Sequence, residues 1–441
     1  MRPLLSRMLV PLAAAGLLVS GCSVQDEGPT QVSRTLPNGV RILAKENRAS
    51  GVVAVQAWIA DGALYETPED AGSAYVLSQM MFTRTRERGL GEISQIVEEL
   101  GGSSSVNPRH DFIQYAAVAP SEHFDVLVEL WADGLTNAVF DSSYFEQTRG
   151  RVLRDIESVG RRPMERTHLL CISDMFGDHP YARPMQGRHE VVEALKLDDV
   201  RRRYRERYVG SNLLVSVAGD VDPTAAADAL EARLSGVEIG VRSEPAAAPV
   251  EWRRVPSRVE RRGDVRNAYQ VLCFPAPSIT DSDSITMDVL LMILTGGRSS
   301  RLERVLEEER RLVTAVDAGW YTLRQPSPLY VWMELPPGNA EEAEAAVLNL
   351  LREMAETEVS ERELTKAKTY WKTQIFFLNE TAEGQAFYDA YWTFLGWPEL
   401  PREYLESIEE VTAADVRKAA ERYFGPGGYS VALLLPDWAQ D

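Results

Sequence analysis

The chain has 441 residues, 44% hydrophobic and 26% charged, a globular balance that excludes a disordered, fibrous or multi-spanning membrane protein. Its 47 basic and 66 acidic residues leave a formal net charge of −19. A phosphate backbone needs basic patches, so nucleic acid is excluded as a partner, and the acidity reads as a solvated surface.

The chain opens with MRPLLSRMLVPLAAAGLLVSGC. Arg2 and Arg7 precede an apolar run, from Met8 to Val19, that is too short for a spanning helix. The run ends in Val19-Ser20-Gly21-Cys22, which resembles the lipobox of bacterial lipoproteins. That resemblance implies a signal peptide over 1–21, acylation of Cys22 and a polar tether over 22–32. It implies a chain lipid-anchored on the periplasmic side of the bacterial cell envelope. Ser23, following the cysteine, favours the outer membrane.

Beyond the tether, NGVRILAKEN and GVVAVQAWIADGA alternate like adjacent strands, with Asn38-Gly39 as a turn signal. The segment 71–84 reads as a helix, as does GEISQIVEELGG, where Ile93, Ile96, Val97 and Leu100 recur at helical spacing. FIQYAAVAP returns as a strand, then HFDVLVELWADGL and DSSYFEQTRGRVLRDIES as two more helices. From about residue 258 this order repeats. NAYQVLCFPAP answers VVAVQAWIADG, with Gln270 standing for Gln56. SERELTKAKTYW answers DSSYFEQTRGRV, with Lys368 standing for Arg149 and Ser360 for the N-cap Asp141; Ser360 and Glu363 also form a capping-box pattern. VVEALKLDDVRRRYRERYV pairs with SIEEVTAADVRKAAERYF, and a strand follows each.

The predicted architecture is therefore α+β with two homologous domains, over 33–240 and 258–437, joined by a Pro/Ala-rich linker over 241–257. Each domain is expected to hold a mostly antiparallel sheet with helices packed on one face. Cys171 and Cys273 both sit in apolar surroundings and read as buried free thiols.

The repeat, with LPNGVRILAKEN, GDHPYARPMQG, VAGDVDP and GGRSSRLERVLEEERRLVTAV, resembles the pitrilysin/insulinase family of zinc peptidases over nearly the whole mature chain. Family members carry His-x-x-Glu-His on the first long helix. Two imidazoles four residues apart bind Zn²⁺, the glutamate activates a metal-bound water, and a later glutamate completes the site. The resemblance, aligned on Gly72 and Met80-Met81-Phe82, places Tyr75, Ser78 and Gln79 at those motif positions and Asp155 at the third-ligand position. Tyrosine and glutamine are poor zinc ligands, and serine cannot serve as the general base.

The five histidines, His110, His123, His168, His179 and His189, include no pair three or four residues apart, and His179 belongs to the family's His-Pro-Tyr turn. The family's arginine and tyrosine that contact substrate fall at Glu307 and Thr314, in a Glu-rich stretch whose register can slip by one, with Arg310 or Tyr321 as the residues that would compensate. A carboxylate repels an oxyanion rather than stabilising it.

No catalytic residue, metal ligand or cofactor is therefore expected, zinc being the cofactor of active members. The resemblance implies a degenerate subunit that pairs with a zinc-bearing homologous subunit and helps enclose peptides, touching the membrane through its lipid anchor alone. The alternatives are an active zinc metalloendopeptidase with a divergent site around Asp155, and a stand-alone peptide-binding envelope lipoprotein.

Overall fold

Eleven strands of the computed structural model form two sheets, and the described residues are 30–245, 250–252, 255–398, 400–425 and 427–439. The lipobox and Cys22 lie outside them. The first sheet contains β1 (Gln31–Thr35), β2 (Arg41–Glu46), β3 (Val52–Ile59), β4 (Ser103–Pro108), β5 (Ile113–Pro120) and β6 (Leu213–Gly219), in the order β1-β2-β6-β3-β5-β4. The second contains β7 (Ser257–Gly263), β8 (Ala268–Phe274), β9 (Ala315–Trp320), β10 (Leu329–Leu335) and β11 (Ser430–Pro436), in the order β7-β11-β8-β10-β9. The two orders superimpose once β1 is set aside. In both, one parallel pair (β2 with β6, β7 with β11) joins an otherwise antiparallel ladder.

The duplication extends to single side chains. Asp141 accepts the Tyr144 amide at the start of Ser142–Arg161, and Ser360 and Glu363 close a reciprocal capping box at the start of Glu361–Leu378. Arg149 donates to the carbonyls of Glu193 and Leu195 at 3.1 and 3.0 Å, while Lys368 donates to that of Glu409 at 2.7 Å. Each cation thus satisfies carbonyls at the C-terminal end of a neighbouring helix, where the macrodipole is negative.

Two sequence expectations change. The strands read as adjacent, β2 and β3, are separated by β6, which enters from far along the chain and pairs with both; alternation reports a half-buried strand but not its neighbours. The Asn38-Gly39 turn instead joins β1 to β2, and β1 begins at Gln31, inside the stretch read as tether.

Second, each sheet is covered on both faces. Helices Phe124–Thr136 and Pro223–Leu234 pack on the first sheet from its own half, whereas Ala382–Leu395, from the second half, covers its other face along β6 and β3. Reciprocally, Pro163–Phe176, from the first half, lies on β11 and β8. Consequently β3 is buried on both sides: Val53, Val55, Ala57 and Ile59 join the core of the first half, while Trp58 joins a second cluster that spans both halves. Gln56 donates to the Glu383 carbonyl at 2.9 Å and Ser216 to that of Ala386 at 2.9 Å, so the exchanged helix is tied to the sheet by polar contacts as well as by packing.

The second core holds a buried acid, Asp288 on Ser284–Thr295, which accepts the Tyr404 hydroxyl. Burial raises its pKa to about 7 from 3.8. Between these two values the folded state holds a proton that the unfolded state has lost, so this group's contribution to stability falls as pH rises through 7. The stability difference between the parent and Asp288→Asn is expected to be greater at pH 5 than at pH 7.5 by about 2–3 kcal/mol. Urea unfolding at the two pH values measures it; an unchanged difference rejects the assignment.

Candidate functional site

The helix Ser73–Met80 starts at Gly72, whose φ of 100° is left-handed. A Cβ at Gly72 would stand 2.6 Å from the Gln186 carbonyl oxygen and 2.9 Å from Gly187 Cα, and one at Gly187 would stand 2.3 Å from the Ala71 oxygen. The two glycines therefore let the 186–187 segment cross the helix start at backbone contact. Glu66 is fully buried beneath this crossing and accepts the Gly72 and Ala74 amides at 2.9 and 2.8 Å. It serves the orphan N–H groups of the helix end, although burial raises its pKa to about 7.

Ala74, Leu77 and Met80 face the core, which leaves Tyr75 and Gln79 as the two half-buried positions of the helix. They share a face because they lie four residues apart. Ser142–Arg161 packs beside this helix and brings Asp155 close enough for its charge to help raise the Tyr75 phenol, burial being the larger cause. The motif positions and the third-ligand position thus come together. The side chains there have other partners. Gln186 lies close enough to the Tyr75 phenol to oppose part of its upward shift, and the Ser78 hydroxyl donates to the Tyr75 carbonyl at 2.7 Å and is buried. Gln79 donates to Ser78 Oγ at 3.4 Å.

This donor set does not fit zinc. It offers a phenol, an amide and one carboxylate in place of two imidazoles and a glutamate. Among the described residues, no group of three or more His, Cys, Asp or Glu could hold a metal ion. His179 Nδ1 instead caps the Pro180–Ala182 turn through the Tyr181 amide at 3.2 Å, and His189 stands 3.9 Å from Glu157.

The second-half positions have partners of their own. Glu307 is exposed on the π-helix Glu303–Glu309, and Thr314 is exposed with its hydroxyl on the Glu334 carbonyl at 2.9 Å. Arg310 pairs with Glu342 at 2.6 Å. Tyr321 points elsewhere, with its hydroxyl 2.9 Å from His168 Nε2.

That contact belongs to a cleft of about 520 Å³ between the two halves, lined by Met164, Ile172, Met185, Tyr330 and Trp332 among others. His168 meets Tyr330 edge-on at 4.6 Å, and burial lowers its pKa to about 4, so the imidazole is neutral at pH 7. His110 is likewise lowered to about 4 by burial. Gln186 lines the cleft and also crosses the start of Ser73–Met80 beside Gly72, so the cleft adjoins the motif helix. Sequence reasoning missed it. Its only local signal is the aromatic density of GWYT and LYVWM, which singles out Tyr321 but not His168.

Residues 41–188 match the insulinase domain of peptidase family M16, and residues 194–370 match the peptidase M16 inactive domain. The chain belongs to the insulinase family. A relative in this family, an uncharacterized zinc protease of Streptomyces coelicolor, is 30% identical over 289 residues, covering 64% of this chain and 62% of its own length. Two solved structures share the fold. A protease from Helicobacter pylori superimposes with a TM-score of 0.87 at 20% identity, over 92% of this chain and all of that one. A peptidase M16 inactive domain from Pseudomonas fluorescens gives 0.85 at 18% identity, over 94% of this chain and all of that one. The family's scaffold is thus present, and its first α-helix carries Tyr75-Val76-Leu77-Ser78-Gln79.

Proposed function

We propose that this protein is a non-catalytic member of the insulinase family, lipid-anchored at Cys22 in the bacterial envelope, that pairs with a zinc-bearing relative and helps enclose peptides. The observation that carries this reading is the motif helix. It has a buried face and approaches Asp155, while Tyr75 stands beside Gln186 and Ser78 spends its hydroxyl on the helix itself. The adjoining apolar cleft supports a role in holding peptide side chains, since it combines aromatic walls with a few polar groups.

The test is metal content and peptide cleavage of the purified chain supplied with zinc. It is expected to bind no stoichiometric zinc and to show no chelator-sensitive cleavage, whereas Tyr75→His/Gln79→His, with Asp155 in place, should bind zinc roughly 100-fold more tightly than the parent. Stoichiometric zinc with chelator-sensitive proteolysis in the parent overturns the proposal. Pull-down through this chain is expected to recover a relative carrying His-x-x-Glu-His; failure to recover one favours a stand-alone peptide-binding role.

A further inference from the structure

The exchanged helix Pro163–Phe176 places Cys171, wholly buried, against the second sheet. Its thiol donates to the carbonyls of Val271 and Ser430, each at 3.3 Å, so the sulfur lies over the seam between β8 and β11. Across that seam Ser430 pairs directly with Cys273. Directly paired residues point to the same face of a sheet. The Ser430 hydroxyl identifies that face: it donates to Asp174 at 2.5 Å, on the same helix three residues after Cys171. Cys273, also wholly buried, therefore points at the helix, where Cys171 is close enough to help raise its thiol, burial being the larger cause.

We propose that Cys171 and Cys273 form a disulfide as the chain folds in the presence of a disulfide oxidant, joining the exchanged helix of the first half to the sheet of the second. One cysteine thiolate attacks the oxidant's S–S bond, giving a mixed disulfide and releasing one oxidant thiol. The second cysteine thiolate then attacks the protein sulfur of that adduct, forming the Cys171–Cys273 bond and releasing the other thiol. The two cysteines lose two electrons, the oxidant gains them, and its two product thiols take up the two protons.

Timing follows from burial. In the folded chain burial raises the Cys273 thiol well above its ordinary range, so little thiolate is present and no oxidant reaches it. Exchange therefore occurs before the helix seats, and the finished bond is shielded from reductants by the same packing. Both halves of the chain meet at this point, so the bond resists separation of the helix from β8 and β11.

The experiment uses the chain carrying Cys22→Ser, which leaves two cysteines, expressed in an oxidising and in a reducing compartment. The oxidised product is expected to show no alkylatable thiol after denaturation, a mass 2 Da below the reduced form, and a proteolytic peptide pair joining Cys171 to Cys273. It should melt roughly 5–10 °C above the same sample after reduction, a shift that Cys273→Ala and Cys171→Ala each abolish. Oxidised-compartment protein that melts cooperatively with both thiols alkylatable, or that carries only mixed disulfides with the oxidant, overturns the proposal.

Discussion

Arg203→Ala is expected to destabilise the chain by about 3–5 kcal/mol, the cost of leaving a buried charge without its partner. The Arg203 Nε stands 3.1 Å from both carboxylate oxygens of Asp61, and its terminal nitrogens reach Asp61 at 2.5 Å and both Asp70 and Ser73 at 3.0 Å. Both members of the principal pair are buried, Asp61 completely. Removing the guanidinium strands Asp61. It also removes the positive charge that opposes the upward shift of Glu66, so the carboxylate capping the motif helix is further neutralised. Arg203→Lys keeps the charge but loses the planar fork, and should recover only part of the loss. Urea unfolding at pH 7 measures both variants, and a loss below about 1 kcal/mol for the alanine variant would show that Asp61 is compensated elsewhere.

Trp58→Ala is expected to cost a similar 3–5 kcal/mol through the cavity it leaves. Trp58 is wholly buried on the face of β3 that receives the exchanged helix. Its ring centroid lies 4.7 Å from that of Phe112, 5.2 Å from Phe387 and 6.0 Å from Phe394. Its indole N–H donates to Gln56 at 3.2 Å, and Gln56 in turn holds the Glu383 carbonyl. Truncation therefore removes both the packing surface and one hydrogen-bond relay under Ala382–Leu395. Loss should appear in denaturant unfolding and as faster proteolysis within that helix, with Trp58→Phe retaining most of the stability. A cleavage rate equal to that of the parent would show that the helix is held without the indole.

Much of the fold is legible in the sequence because the signals are local. Capping residues, helical spacing and turn dipeptides act within a few positions, so Asp141, Ser360 and Glu363 mark helix starts that the structure keeps. Repetition of those signals reveals the duplication, and the parallel roles of Arg149 and Lys368 show that it reaches individual hydrogen bonds. Strand order is less legible. The place of β6 between β2 and β3 depends on a pairing across most of the first half. The exchange of helices leaves only one trace, an almost unbroken apolar run in β3 where a sheet open on one side would alternate.

The candidate site divides along the same line. The resemblance places the motif positions at Tyr75, Ser78 and Gln79, and residue type shows that those three positions hold no imidazole or carboxylate. The approach of Asp155 and Gln186 to Tyr75 and the cleft joining His168 to Tyr321 depend on segments far apart in the chain. So does the meeting of Cys171 with Cys273, which lie in different halves and come together only because each half lends a helix to the other's sheet. By itself the sequence determined the family, the duplication and the residue types at positions 75, 78 and 79, all of which are written in residue identity and short-range period. The tertiary structure decided what those residues touch, because contact between distant segments is set by how two twisted sheets and their exchanged helices pack, and no local pattern encodes that packing.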